Sequence, residues 1–254
     1  MPSSKSTILI IQGSFQTSLV YSALQDGLKA RGYPVVHPTL PSCNNTSTLD
    51  FPNITLIDDA LVVRLKLIKL IEYEQRDVFV VLHSYGGLVG SEAIPVELTH
   101  SHRSSHGLLG GVTHLFFFAA FLIPAGQSVL SAFWESPNGD VRPDGRFDVR
   151  NGAHTLYSDL PEEEAKMCEE KMIPQSYEVQ KTALTREAWT YVPSTYLVCE
   201  NDQAVPASFQ STFAEMAKST VLKCSAGHSP QLSETGMLVE RIVEAAEKSI
   251  SHGK

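Results

Sequence analysis

Cysteine is scarce in this chain. Its four cysteines, Cys43, Cys168, Cys199 and Cys224, lie far apart and form no Cys-x-x-Cys pair. That spacing speaks against a zinc ribbon or dithiol motif and for reduced thiols. Long apolar runs are missing too: the longest, from Leu115 to Pro124, falls far short of the roughly 20 residues that a membrane-spanning helix needs. Basic charge is in deficit, with 20 Lys and Arg against 28 Asp and Glu, a net charge of −8 and a pI near 5.6. No electrostatic footprint for nucleic acid or an anionic membrane results. The first residues carry one lysine and too short an apolar stretch for a secretory signal, and the last four form no retention or prenylation signal. A cytoplasmic location is expected.

What is present is an ordinary globular composition over 254 residues, 43% hydrophobic and 19% charged, enough for one large domain. Strand and helix patterns alternate. Buried parallel strands are expected at Thr7–Ile11, Tyr33–Val36, Val78–His83, Val112–Phe118, Thr195–Cys199 and Val221–Lys223. Between them come helical periodicities at Leu19–Ala30, from Thr55 (with Asp58 placed for a capping box) through Ile71, from Ser84 to about Glu97, at Pro206–Ala217 and at Leu232–Lys248. Residues Pro38–Asn53 read as a loop and His100–Gly107 as a polar surface excursion. The rhythm predicts an α/β fold with a mostly parallel sheet covered by helices on both faces. It breaks between 124 and 192. That stretch is expected to be a helical cap over the carboxyl ends of the strands, inserted into a core made of 1–123 and 193–254.

Chemistry concentrates at Val80-Val81-Leu82-His83-Ser84-Tyr85-Gly86-Gly87. A serine at the tip of a buried strand, leading straight into a helix, is the geometry of a nucleophile elbow. The usual motif has glycine two residues before the serine. Here Leu82 stands there, so the turn must make room for a branched side chain. Asp202 follows the strand Thr195–Cys199, and His228, in Ala226-Gly227-His228, follows Val221–Lys223. Each of the three residues alone has an ordinary structural explanation: a strand–helix turn, a helix cap, a solvated loop histidine. Their order Ser84, Asp202, His228, each just past a strand, singles them out as a nucleophile, an orienting carboxylate and a base. The first turn, Gln12-Gly13-Ser14-Phe15, offers a backbone N–H of Ser14 or Phe15 to an oxyanion, with Tyr85 supplying the other and Gly13 letting backbone approach substrate. His83 is expected to pack against the sheet. His100, His102 and His106 lie close together without a carboxylate or cysteine at ligand spacing, so no metal is expected.

These motifs resemble the α/β-hydrolase superfamily and, within it, the branch of plant hydroxynitrile lyases and methyl-ester esterases such as the salicylate-ester hydrolases. The likeness runs over nearly the whole chain, through HSYGG, the LYSDLPEEEA segment at 156–165, CENDQAVP and AGHSPQL. It implies a serine esterase that needs no cofactor. The apolar side chains of the inserted stretch suggest a small apolar or aromatic ester, with Trp134 and Tyr157 expected to face it. The lyases carry a threonine at the position of Gly13 and a lysine directly after the catalytic histidine; Ser229 stands there in this chain, which disfavours the lyase. The family's first-loop His-Gly is Gln12-Gly13 here. A non-hydrolytic C–C lyase and a ligand-binding receptor are the alternative readings. A homodimer is one assembly the sequence allows.

Overall fold

The computed structural model describes residues 5–251. Strand β1 (Thr7–Ile11) leads through α1 (Ser22–Ala30) to β2 (Val35–Val36). Helix α2 (Leu56–Ile68), β3 (Asp77–His83), α3 (Gly86–Ala93), α4 (His100–Ser105) and β4 (Gly111–Phe118) follow. The long intervening stretch carries α5 (Val129–Phe133), β5 (Gly139–Val141), β6 (Arg146–Val149), α6 (Gly152–Thr155), α7 (Glu162–Glu170), β7 (Gln175–Ser176) and α8 (Glu178–Lys181). Then come β8 (Ser194–Cys199), α9 (Ala207–Met216), β9 (Thr220–Cys224), α10 (Pro230–Ser233) and α11 (Thr235–Ser251).

Six of the strands pair in the order β2-β1-β3-β4-β8-β9, every pairing parallel. The central strands are apolar at successive positions because both of their faces are covered. Leu9, Ile11, Val80, Leu82, Phe117 and Val198 pack on the face that holds α2, α3 and α9. The alternate residues Ile8, Ile10, Phe79, Val81, Phe116 and Leu197 pack against Leu24 and Leu28 of α1 and Leu238 and Ile242 of α11. The chain turns to β2 on one side of β1 and to β3 on the other. This switch point leaves a crevice at the carboxyl ends of β1 and β3, where open α/β sheets bind ligands.

Three local expectations need correction. Residues 100–105 are helical rather than an irregular excursion: Thr99 caps α4 by accepting the His102 backbone N–H at 3.3 Å, and the Arg103 side chain is buried, donating to the carbonyls of Leu109 and Gly110. The first turn expected of α1, Ser18–Tyr21, is a 3-10 turn. The intervening stretch is not simply helical. It contains a three-stranded antiparallel sheet, β5-β6-β7. Arg142-Pro143-Asp144-Gly145 makes the hairpin turn, with Gly145 at φ +83° and its N–H on the Arg142 carbonyl at 3.0 Å. Pro-Asp-Gly between short alternating runs is the signal that marks this turn.

Leucine replaces the usual elbow glycine because a different glycine makes the space. A Cβ added to Gly90, four residues into α3, would lie 2.1 Å from Leu82 Cδ2. Gly86 is equally constrained, since its Cβ would lie 2.4 Å from the Ile11 carbonyl oxygen. Helix α3 therefore sits directly on the strands, and the fully buried Leu82 fills the hollow left by Gly90. Overpacking by Gly90→Ala should destabilise the fold by about 1–3 kcal/mol, and Leu82→Ala by about 2–5 kcal/mol. With Leu82→Ala already present, adding Gly90→Ala should cost almost nothing. Additive losses in denaturant unfolding would refute this pairing.

Candidate active site

Ser84 is the first residue past β3 and adopts φ +53°, a left-handed conformation that is costly for a residue with a Cβ. Its carbonyl is gripped twice, by the N–H groups of Gly87 and Phe121, each at 3.0 Å. The turn thereby lifts the hydroxyl clear of the strand end. Gly13 comes so close that a Cβ there would lie 2.9 Å from Ser84 Cβ and 3.1 Å from His83 Nδ1. Only glycine fits that approach.

His228 Nε2 lies 3.1 Å from Ser84 Oγ, and His228 Nδ1 lies 2.9 Å from Asp202 Oδ2. All three side chains are buried. With Nδ1–H donated to the carboxylate, Nε2 is left as the acceptor for the serine hydroxyl. Asp202 is held from its other sides as well: Oδ1 accepts the N–H groups of Ala204 and Val205 at 2.8 and 2.9 Å, and Oδ2 accepts Gln210 Nε2 at 2.9 Å. Its role as a local cap and its role beside the histidine coexist.

Behind this line His83 is more than packing. It stacks on Phe118 at 4.6 Å between ring centroids, and its Nε2 donates to the His228 carbonyl at 2.9 Å. Its Nδ1 meets the Tyr21 hydroxyl at 2.6 Å. Burial, with His228 nearby, holds the His83 imidazole well below the ordinary histidine range, so it stays neutral. The His228 loop is pinned from the inserted stretch as well. Asp159 Oδ2 accepts the Gly227 N–H and the Ser233 hydroxyl, both at 2.6 Å.

Ser14, Phe15 and Tyr85 line the same cavity as Ser84 and His228. Among the described residues none of their backbone N–H groups has a protein acceptor, while the Gly13 N–H is engaged by the Tyr21 hydroxyl at 2.8 Å. Unpaired donors beside a serine–histidine–aspartate line have the layout of an acyl-transfer site.

The sequence profile of the alpha/beta hydrolase family matches residues 8–241. The chain belongs to the alpha/beta hydrolase family. It is 28% identical over 258 aligned positions to alpha/beta hydrolase nvfD of Aspergillus novofumigatus, with 97% of this chain and 98% of that protein covered. Its fold is similar to that of a pyrethroid hydrolase from Sphingobium faniae, with TM-score 0.74, 20% identity and 95% and 97% of the two chains covered. It is also similar to that of a methylesterase from Arabidopsis, with TM-score 0.73, 16% identity and 95% and 99% covered.

In this alpha/beta hydrolase the cavity over Ser84 measures about 650 Å³. One wall is a cluster of Phe121, Phe133, Phe209 and Phe213, whose neighbouring ring centroids lie 5.8 to 6.3 Å apart. Phe15, Phe147 and Tyr177 make a second aromatic row in the lining, at 5.5 and 5.6 Å. Among the described residues neither Lys nor Arg lines the cavity. Trp134 stands at the cavity's rim, 83% exposed. Tyr157 does not line the cavity: it is 1% exposed, packed with Leu156 and Ala165, and its hydroxyl accepts Gln16 Nε2 at 3.3 Å. Gly13 does not line it either, because it is turned against Ser84 and His83. Among the described residues no three His, Cys, Asp or Glu side chains gather where they could hold a metal ion.

Sequence reasoning missed Gln210, Asp159 and Asp59. The first two are polar residues inside ordinary helical or loop patterns, without a local signal. Asp59 lies on α2, fully buried, with the Tyr85 hydroxyl donating to Oδ2 at 2.8 Å. Burial pushes its carboxyl up to about 6, against the hydrogen bonds from Ser42 and Tyr85 that favour the ionised form. A folded-state value above the unfolded one means that the folded protein holds a proton the unfolded chain has already released between pH 4 and 6. The contribution of Asp59 to stability is thus full below about pH 4 and declines as pH rises to about 6. Relative to Asp59→Asn, the wild type should lose about 2–3 kcal/mol of unfolding free energy over that window. Urea titrations of the two proteins at pH 4 and pH 7 measure it, and a constant difference would contradict the assignment.

Proposed function

We infer that this protein is a serine hydrolase cleaving the carboxylic ester of a neutral, bulky, apolar or aromatic molecule. The observation that carries the reading is the hydrogen-bonded line Ser84–His228–Asp202, opening into an aromatic cavity that, among the described residues, no Lys or Arg lines. A volume of about 650 Å³ fits a drug-sized ligand better than a simple short ester. The names of the pyrethroid hydrolase and of the methylesterase of like fold, a hydrolase and an esterase, support the reaction class.

Ser84 Oγ attacks the ester carbonyl carbon while its proton passes to His228 Nε2. The carbonyl oxygen becomes an oxyanion that accepts from the N–H of Tyr85 and of Ser14, with Phe15 as the alternative to Ser14. The carbon–oxygen bond to the leaving group breaks, and the departing oxygen takes the proton from His228. An acyl-Ser84 remains. Water then attacks that acyl carbon with His228 as base, releasing the acid and restoring the serine. Asp202 keeps the imidazole in the tautomer that both halves need. Cyanohydrin cleavage fits less well, since the residue after His228 is Ser229, buried and bonded through Oγ to Gln16 Nε2 at 3.2 Å, and supplies no cation.

Ser84→Ala should abolish labelling by a fluorophosphonate probe and lower hydrolysis of p-nitrophenyl esters by about 10³-fold or more, with circular dichroism unchanged. Labelling that survives in the variant would place the nucleophile elsewhere. Phe133 touches three rings of the aromatic wall, so Phe133→Ala should change the ratio of kcat/KM between bulky aryl and acetyl esters by about 10-fold. Equal loss on all esters would assign Phe133 to packing alone.

A further inference from the structure

We propose that the buried carboxylate of Asp59 is the positioning residue of the oxyanion site, fixing both donor loops, Tyr85 directly and Ser14 through Ser42 and Gln175. The proposal rests on the esterase reading for what the loops do, and on hydrogen bonds alone for how they are held.

Asp59 Oδ2 accepts two hydroxyls, Tyr85 Oη at 2.8 Å and Ser42 Oγ at 2.5 Å, and Oδ1 accepts the Ser42 N–H at 2.9 Å. From Ser42 the chain continues: Gln175 Nε2 donates to Ser42 Oγ at 3.2 Å, and Gln175 Oε1 accepts Ser14 Oγ at 2.9 Å. Asp59, Ser42 and Gln175 are all fully buried and Tyr85 nearly so. Each end of this chain is a residue whose own backbone N–H lies unpaired beside Ser84. One branch reaches the turn after β3, the other the turn after β1, and the second passes through Gln175 of β7 in the inserted stretch. Among the described residues the carboxylate forms no ion pair with a basic group, and the three hydrogen-bond donors compensate its burial. A charged group kept inside at that cost is better explained by what it orients than by stability, for which an apolar side chain would serve as well.

The direction of the bonds is what matters. Oδ2 accepts from both hydroxyls, so Ser42 Oγ is free to accept from Gln175, which in turn leaves Oε1 to accept from Ser14. An amide at position 59 must present an NH₂ either to the two hydroxyls or to the Ser42 N–H, and at least one link then reverses or breaks. The donors would lose their fixed distance to the oxyanion, which touches the transition state far more than the bound ester.

The test compares Asp59→Asn, Tyr85→Phe and Gln175→Leu with the wild type. The readouts are kcat and KM on p-nitrophenyl acetate, inhibition by an aryl trifluoromethyl ketone, and the ¹H–¹⁵N amide resonances of Ser14 and Tyr85. The ketone is a probe of the oxyanion site, because Ser84 Oγ adds to its carbonyl carbon, the serine proton goes to His228, and the carbonyl oxygen becomes an alkoxide. Asp59→Asn should lower kcat about 10- to 100-fold with KM within twofold, weaken the ketone by a similar factor, and move both amides. Gln175→Leu should move chiefly the Ser14 amide and Tyr85→Phe chiefly the Tyr85 amide. These two single-branch variants carry the test if Asp59→Asn does not fold. Unmoved amides, or an unchanged kcat in folded Asp59→Asn, overturn the proposal. A wild type that neither hydrolyses esters nor reacts with the fluorophosphonate would instead overturn the esterase reading, while the amide shifts would still decide the positioning.

Discussion

The left-handed backbone at Ser84 is the constraint on which the rest of this structure turns. A serine held at φ +53° at the end of a buried strand would relax if anything around it yielded. Nothing does, because α3 lies against the strands at backbone contact distance, through Gly86 on the Ile11 carbonyl and Gly90 on Leu82, and because Gly87 and Phe121 both bond the Ser84 carbonyl. The strain is maintained by close packing of apolar residues, which deforms little. Substituting leucine for the usual elbow glycine changes which residues interlock and leaves the interlock itself intact.

Polar groups then take over where packing ends. His228 is oriented through its ring by Asp202 and through its carbonyl by His83, and its loop is held by Asp159. Asp202 is in turn held by Gln210 and two backbone N–H groups. The bonds of His83, Val205 and Gln210 and the His228–Asp202 bond are buried, so each is stronger than its solvent-exposed equivalent and would be costly to leave half made, while those to the Ala204 and Gly227 N–H groups are partly buried. The result is a site whose polar members are supported from the 3-10 turn Ser18–Tyr21, from α9, from β3 and from the inserted stretch together.

The cavity has a different physical character. Its two aromatic rows come from segments that are distant in the chain, Phe121 and Phe133 with Phe209 and Phe213 in one, Phe15 with Phe147 and Tyr177 in the other. Burial of a flat apolar ligand against them would be driven by the area removed from water, with little directional demand. At the Ser84 end, the free N–H groups would orient a carbonyl oxygen.

The amino-acid sequence alone was enough for the α/β fold, because period and strand length are local properties: the runs Thr7–Ile11 and Val78–His83 can bury both faces only inside a parallel sheet. It was also enough to single out Ser84, Asp202 and His228, since each sits where a strand ends, and a strand end is legible in one dimension. The hairpin at Arg142–Gly145 carried a local turn signal and could have been read. Tertiary structure decided everything that depends on which side chains meet. It turned Tyr157 away from the cavity and brought Phe209 and Phe213 to it, matched Leu82 with Gly90, and joined Asp59 to both donor loops through Ser42 and Gln175. No pattern along the chain encodes those meetings, because a buried hydrogen bond or a void filled by one methyl group is a property of two distant residues at once, settled only when the layers close on each other.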